Sequence, residues 1–193
     1  MQKSQKVLVL VEGAIMIALA TVLSFIRVFK LPWGGSITLL SMLPIALFSI
    51  KRGVKSGLVV SFLFALIQFG QGILDGLFGW GLTLGMLITC ILLDYILAFT
   101  VLGLAGLFRK KLSGQIAGIA LAVTLRFLCH FLSGVVIWHS FGQLWGDFYT
   151  ENTWLYSLLY NGAYMLPELI FTVVGAVALL KLPQTRKLLL TNE

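Results

Sequence analysis

Residues 82–107 read LTLGMLITCILLDYILAFTVLGLAGL, and Asp94 is the one charged side chain in that run. Hydrocarbon about 30 Å thick is crossed by roughly 20 apolar residues in a helix. The run is long enough to span a bilayer, and it carries a carboxylate into it. Working outward, comparable runs fall at 7–26, 54–72, 113–138 and 155–181, with a shorter one at 36–50 that holds Pro44 and is expected to be broken or tilted against its neighbours. The pattern predicts an all-α membrane protein, a bundle of six transmembrane helices forming one transmembrane domain over residues 1–193. Composition agrees: 59% of the residues are apolar and 11% charged, whereas a soluble domain carries about 25% charge. An ordinary soluble domain, a disordered chain and a solenoid are thereby excluded.

Lys3 and Lys6 precede an apolar run containing Ala18-Leu19-Ala20, which resembles a signal peptide. The run continues to Ile26, too long for such a core, so it is read as a retained span.

The net charge is +7, from 14 Lys and Arg against 7 Asp and Glu. Eleven of the basic residues lie in four places: Lys3 and Lys6; Lys51, Arg52 and Lys55; Arg109, Lys110 and Lys111; and Lys181, Arg186 and Lys187. Arg27 and Lys30 occupy the opposite side, and Arg126 lies within a span. Cytoplasmic loops collect Lys and Arg, so both termini are expected in the cytoplasm. The basic surplus reports orientation, not nucleic acid. Cys90 and Cys129 both sit in apolar runs, where they read as buried thiols, not a disulfide framework or a metal site. The outer loops are rich in glycine, aromatics and acids, including Asp75, Trp80, Trp145, Asp147, Tyr149 and Glu151. They suit an aromatic belt or a lid.

An ionised group at the bilayer centre costs about 2.5–3.5 kcal/mol, so each one needs a partner or a cavity. The chain places Asp94, Arg126, His130 and Glu168 inside spans, with Glu12 nearer an edge. Arg126, His130, Gly134 and Trp138 recur at four-residue steps and form a slowly winding stripe. Ser157, Tyr160, Asn161, Tyr164 and Glu168 fall within roughly 100° of one helix face. Gly134 leaves room beside its stripe for a ligand to approach the backbone. Counted from the outer ends, His130 lies about 12 Å deep, and Arg126 and Glu168 each about 18 Å. Matched depth on antiparallel neighbours predicts a structural ion pair between Arg126 and Glu168, with Asp94 as the competing partner of Arg126. Above it, Asp94, Tyr95, His130, Trp138, Tyr156 and Asn161 would wall a pocket. An unpaired carboxylate among aromatic rings suits a flat cation, and His and Asn can hydrogen-bond a heteroaromatic edge. The plainer alternative is that His130 and Asn161 only tie helices together.

Three segments carry a resemblance. The first is Leu93-Asp94-Tyr95-Ile96-Leu97-Ala98-Phe99 with the following Gly103-Leu104-Ala105-Gly106. The second runs from Arg126 through His130 and Gly134 to Trp138, and the third is Tyr156-Ser157-Leu158-Leu159-Tyr160-Asn161. Together they resemble the thiamine-specific S component of energy-coupling-factor (ECF) vitamin transporters over essentially the whole chain. The resemblance implies a multi-pass protein of the bacterial cell membrane that captures thiamine and is not itself an enzyme. It implies thiamine contacts from Asp94, Tyr95, His130, Gly134, Trp138, Tyr156 and Asn161, with Trp138 stacking on a ring. Trp33 corresponds to a lid-like first loop, and Gln68, Tyr160 and Tyr164 are lower-ranked candidates. Some members carry Glu where this chain has Asp94, so the shorter side chain alters the contact. The implied partners are a transmembrane coupling subunit and two ATPases, with Ala14 and Ala18 as the docking surface. The chain has no G-x-x-x-x-G-K-[ST] phosphate loop, so ATP is used by the partners and no cofactor is implied. The alternatives are a self-contained secondary transporter or channel, an S component for another vitamin, and an intramembrane enzyme. No internal repeat favours the first, and no nucleophile-plus-base motif favours the last.

Overall fold

The computed structural model describes residues 2–31, 34–139 and 142–190. Helix α1 covers Gln2–Phe25 and leads into an antiparallel hairpin of β1 (Arg27–Lys30) and β2 (Ser36–Thr38). Helix α2 (Leu43–Arg52) and helix α3 (Val54–Leu74) follow. A continuous helical rod, α4, runs over Leu84–Phe108, and a second, α5, over Leu112–Trp138. A second hairpin, β3 (Gly142–Trp145) and β4 (Phe148–Thr150), precedes α6 (Thr153–Lys181) and α7 (Pro183–Leu190).

Five helices are long and apolar enough to cross a membrane: Gln5–Phe25 within α1, and α3, α4, α5 and α6. The segment 36–50, expected as a sixth, differs. It opens with the three-residue strand β2, turns at 39–42 and only then becomes helical, and α2 has 10 residues, about 15 Å of rise. Proline in its first turn lacks an N–H and blocks continuation toward the N-terminus, and Pro44 holds that place. Leu40, just before it, adopts φ +57°, a left-handed conformation that bulky residues rarely take. Because α2 cannot reach across, it is enclosed by the other helices. Leu43, Ile45, Phe48 and Ile50 are all buried, as a helix apolar on every side requires.

Two ion clusters mark the ends of the bundle. Glu12 meets Lys51 at 2.9 Å and Arg52 at 2.7 Å. At the other end of α3, Asp75 meets Arg27 at 2.7 Å and Lys30 at 3.3 Å. Between them α3 rises about 31 Å, the thickness of a hydrocarbon core.

Toward the Glu12 end the helices touch through small residues. A Cβ on Gly103 would lie 2.5 Å from the backbone nitrogen of Leu58. Ser49 Oγ donates to the carbonyl of Gly103 and accepts from the Gly106 N–H at 3.2 Å. Small side chains let membrane helices approach closely, and α2, α3 and α4 are locked together there.

Toward the Asp75 end the rods loosen. Ile91–Leu97 of α4 and Gly134–Trp138 of α5 are wound as wide π turns, a form that recurs at functional sites. Val101–Phe108 is wound as a tight 3₁₀ turn.

Candidate functional site

The wide turns border a cavity of about 380 Å³. It is lined by all seven leading candidates: Asp94 and Tyr95 from α4, His130, Gly134 and Trp138 from α5, and Tyr156 and Asn161 from α6. Gln68, Tyr160 and Tyr164 line it as well. Trp33 lies outside the described residues. Arg27, Asp75 and Trp80 stand at one end of the cavity, and Thr38, Phe99 and Arg126 at the other.

Asp94 is already partnered, contrary to the expectation of an unpaired carboxylate. Its Oδ1 is 2.9 Å from His130 Nδ1, and its Oδ2 accepts from the Ser133 hydroxyl and, at 3.4 Å, from the Cys90 thiol. His130 and Ser133 are one helical turn apart on α5 and so face α4 together. The far edge of the imidazole is buried and unsatisfied: His130 Nε2 has no hydrogen-bond partner.

Asn161 ties helices as the plainer reading supposed. Its amide nitrogen donates to the His130 carbonyl at 3.3 Å and to Ser157, and its oxygen accepts from Tyr164 at 2.8 Å. It also lines the cavity, so the two roles coexist. Gly134 lines the cavity and has a second role. Its missing side chain makes room for α6, because a Cβ there would collide with Ser157 Oγ and lie 3.2 Å from Asn161 Nδ2.

The remaining wall is aromatic. Trp80 and Trp138 meet edge to face at 5.6 Å, Tyr156 stacks on Tyr160 at 6.3 Å, and Tyr95 packs against Phe69 at 5.8 Å.

The expected ion pair between Arg126 and Glu168 is not formed. The Arg126 guanidinium lies 4.3 Å from the Phe99 ring centroid and points Nη1 at Met42 Sδ, 3.0 Å away. Glu168 Oε1 instead accepts from the Thr38 N–H at 2.5 Å and the Thr38 hydroxyl at 2.6 Å. The hairpin reaches into the bundle at that depth and takes the carboxylate first. Asp94, the competing partner, is held by His130.

At the mouth, Arg27 binds Asp75 through both guanidinium nitrogens, at 3.0 and 2.7 Å. The Arg27 guanidinium beside Asp75 holds its carboxyl below the usual carboxylate range, and Lys30 adds to this against a partial opposing effect of burial.

Ser24, Gln71 and Ser133 line the cavity but escaped the sequence reading, and Trp80 and Ser157 were read only as a loop aromatic and part of a polar helix face. Ser133 follows His130 by three positions, and Gln71 follows Gln68 by three. That spacing was the available signal. Away from the cavity, Ala14 and Ala18 lie on an exposed face of α1.

Residues 10–188 match the family described as "Thiamine transporter protein (Thia_YuaJ)". The chain is 31% identical over 189 residues to the thiamine transporter ThiT of Bacillus subtilis strain 168, spanning 90% of this chain and 91% of that protein. It is 29% identical over 199 residues to the thiamine transporter ThiT of Lacticaseibacillus paracasei strain ATCC 334, spanning 93% and 90%. A solved structure of ThiT from Listeria monocytogenes superposes with a TM-score of 0.68 at 25% identity, covering 94% of this chain and 98% of that one.

Proposed function

This chain belongs to the thiamine transporter protein family, and on that premise we propose that its cavity captures thiamine for uptake. It is a multi-pass bacterial membrane protein and not an enzyme. One observation carries the reading most. A single cavity gathers the Asp94–His130 pair and the rings of Tyr95, Trp138 and Tyr156. The carboxylate supplies counter-charge to the thiazolium, and the rings supply cation–π attraction of about 0.5–2 kcal/mol each. The unsatisfied Nε2 of His130 is the group that would take up an aminopyrimidine nitrogen once a small side-chain adjustment exposes it.

The Asp75 end faces outward in this reading, and the Lys51 end faces the cytoplasm. The β1–β2 hairpin and α2 together then complete a sixth crossing, which returns both termini to the cytoplasm as the charge distribution asks. The exposed Ala14 and Ala18 face of α1 docks on an ECF transmembrane coupling subunit, and two ATPase subunits supply the energy.

Titrating the purified protein with thiamine tests the capture step. Tryptophan emission should be quenched at submicromolar ligand through Trp138, and Trp138→Phe should remove most of the change. Tight binding of an uncharged vitamin with no response to thiamine would replace this reading by that of an S component for another substrate.

A further inference from the structure

Ser24, Gln68 and Gln71 meet at the cavity wall formed by α1 and α3. Ser24 Oγ donates its single proton to the Thr21 carbonyl at 2.7 Å. Its two lone pairs receive Gln68 Nε2 at 3.1 Å and Gln71 Nε2 at 2.8 Å. A hydroxyl has one proton and two acceptor positions, so Ser24 is saturated. Gln71 Oε1 also lies 3.3 Å from Ser24 Oγ, but the proton is committed to the shorter contact. Both amides therefore turn their nitrogens to Ser24. Gln68 Oε1 is left without a donor among the described residues, and Gln71 Oε1 has only the long 3.3 Å contact to a hydroxyl whose proton is shared with Thr21.

We infer that these two carbonyls form a subsite for a neutral hydroxyl donor on the ligand. The nearest formal charges, Arg27 and Asp75, are paired with each other, so the subsite selects hydrogen bonding over charge. By helical rise, Gln71 lies about 6 Å and Gln68 about 10 Å below Asp75. Tyr95, next to Asp94 on α4, packs on Phe69 of α3 at 5.8 Å, so the acid and the two glutamines face the same stretch of the cavity. A cationic ring beside Asp94 can therefore reach this pair with a short hydroxyl arm. The inference rests on the thiamine reading, in which that arm is the hydroxyethyl group borne by the thiazolium ring itself. A phosphate ester there would set anionic oxygens against two carbonyls.

The test is a cycle of two ligands and four proteins. Thiamine and its analogue with ethyl in place of hydroxyethyl are titrated against the wild type, Gln68→Met, Ser24→Ala and Gln68→Met/Gln71→Met. One neutral hydrogen bond predicts roughly fivefold weaker binding of the ethyl analogue by the wild type. That ratio should fall below about twofold in the double variant. It should also fall in Gln68→Met and Ser24→Ala, which keep the case decidable if the double variant does not fold. A ratio unchanged across the variants overturns the subsite and leaves thiamine capture standing. Absence of thiamine binding by the wild type overturns both.

Discussion

Asp94 and His130 face each other across α4 and α5, with 2.9 Å between Oδ1 and Nδ1. The contact orients the imidazole so that Nε2 is the edge without a partner. Ser133 holds the second carboxylate oxygen. Acid and ring are thus positioned before a ligand arrives, which lowers the ordering cost of binding.

Removing the charge while keeping the shape tests this arrangement. Asp94→Asn should weaken thiamine binding by about 10- to 100-fold, the loss of a hydrogen bond or contact to a charged group. Asp75→Asn should cost much less, because Asp75 is engaged with Arg27 at the mouth. Fluorescence titration of both variants decides it, and equal losses would make Asp94 structural.

Gly134→Ala should both loosen the bundle and weaken binding. The added methyl would strike Ser157 Oγ and crowd Asn161, an overpacking cost of about 1–3 kcal/mol. Adding Ser157→Gly to the same chain should recover much of the loss in thermal unfolding in detergent. Without recovery, the close approach of α5 and α6 is not the reason for the glycine.

The mouth should be sensitive to acid. The Arg27 guanidinium keeps the Asp75 carboxyl below its ordinary value, and an unfolded Asp titrates near about 3.9. The pair therefore stabilises the fold fully above that pH and loses its contribution as pH falls through the lower folded value. The difference in Tm between wild type and Asp75→Asn should be flat from neutral pH to about 5 and shrink only below about 3.9. A difference already shrinking near pH 6 would point to another group.

Glu168 should behave as a tether for the first hairpin. Glu168→Gln keeps an acceptor for Thr38 and should cost little, whereas Glu168→Ala strands the Thr38 N–H and hydroxyl, at about 1–3 kcal/mol for each unsatisfied group. Exchanging Arg126 and Glu168 should not rescue either single loss. The exchange puts an anion over the Phe99 ring and a cation against the Thr38 N–H. Rescue in a folding assay would restore the direct ion pair.

The site walls were legible because Asp94, His130 and Trp138 are conspicuous among aliphatic neighbours, and a charge within a span demands an explanation. Ser24 and Gln71 were not, since uncharged polar residues are tolerated singly in membrane helices and leave no such demand. The first half of the run at 36–50 was misread because a short apolar run has no periodicity that separates strand from helix. The partner of Glu168 was hidden for the same reason: Thr38 belongs to the strand that entered the bundle in place of a helix. Depth matching aligned Arg126 with Glu168, but depth carries no information about which third element lies between.

The rod α4 has one further consequence. Its wide turn presents Asp94 and Tyr95, and its tight turn seats Gly103 and Gly106 against Ser49 and Leu58. Both engagements lie on one uninterrupted helix, so they are geared to one another. Each residue added or removed between positions 95 and 103 would rotate one engagement against the other by about 100°. Such a change would keep every side chain named above and still turn either the acid from His130 or the glycines from Ser49. The number of residues in that interval is as binding a specification as their identity.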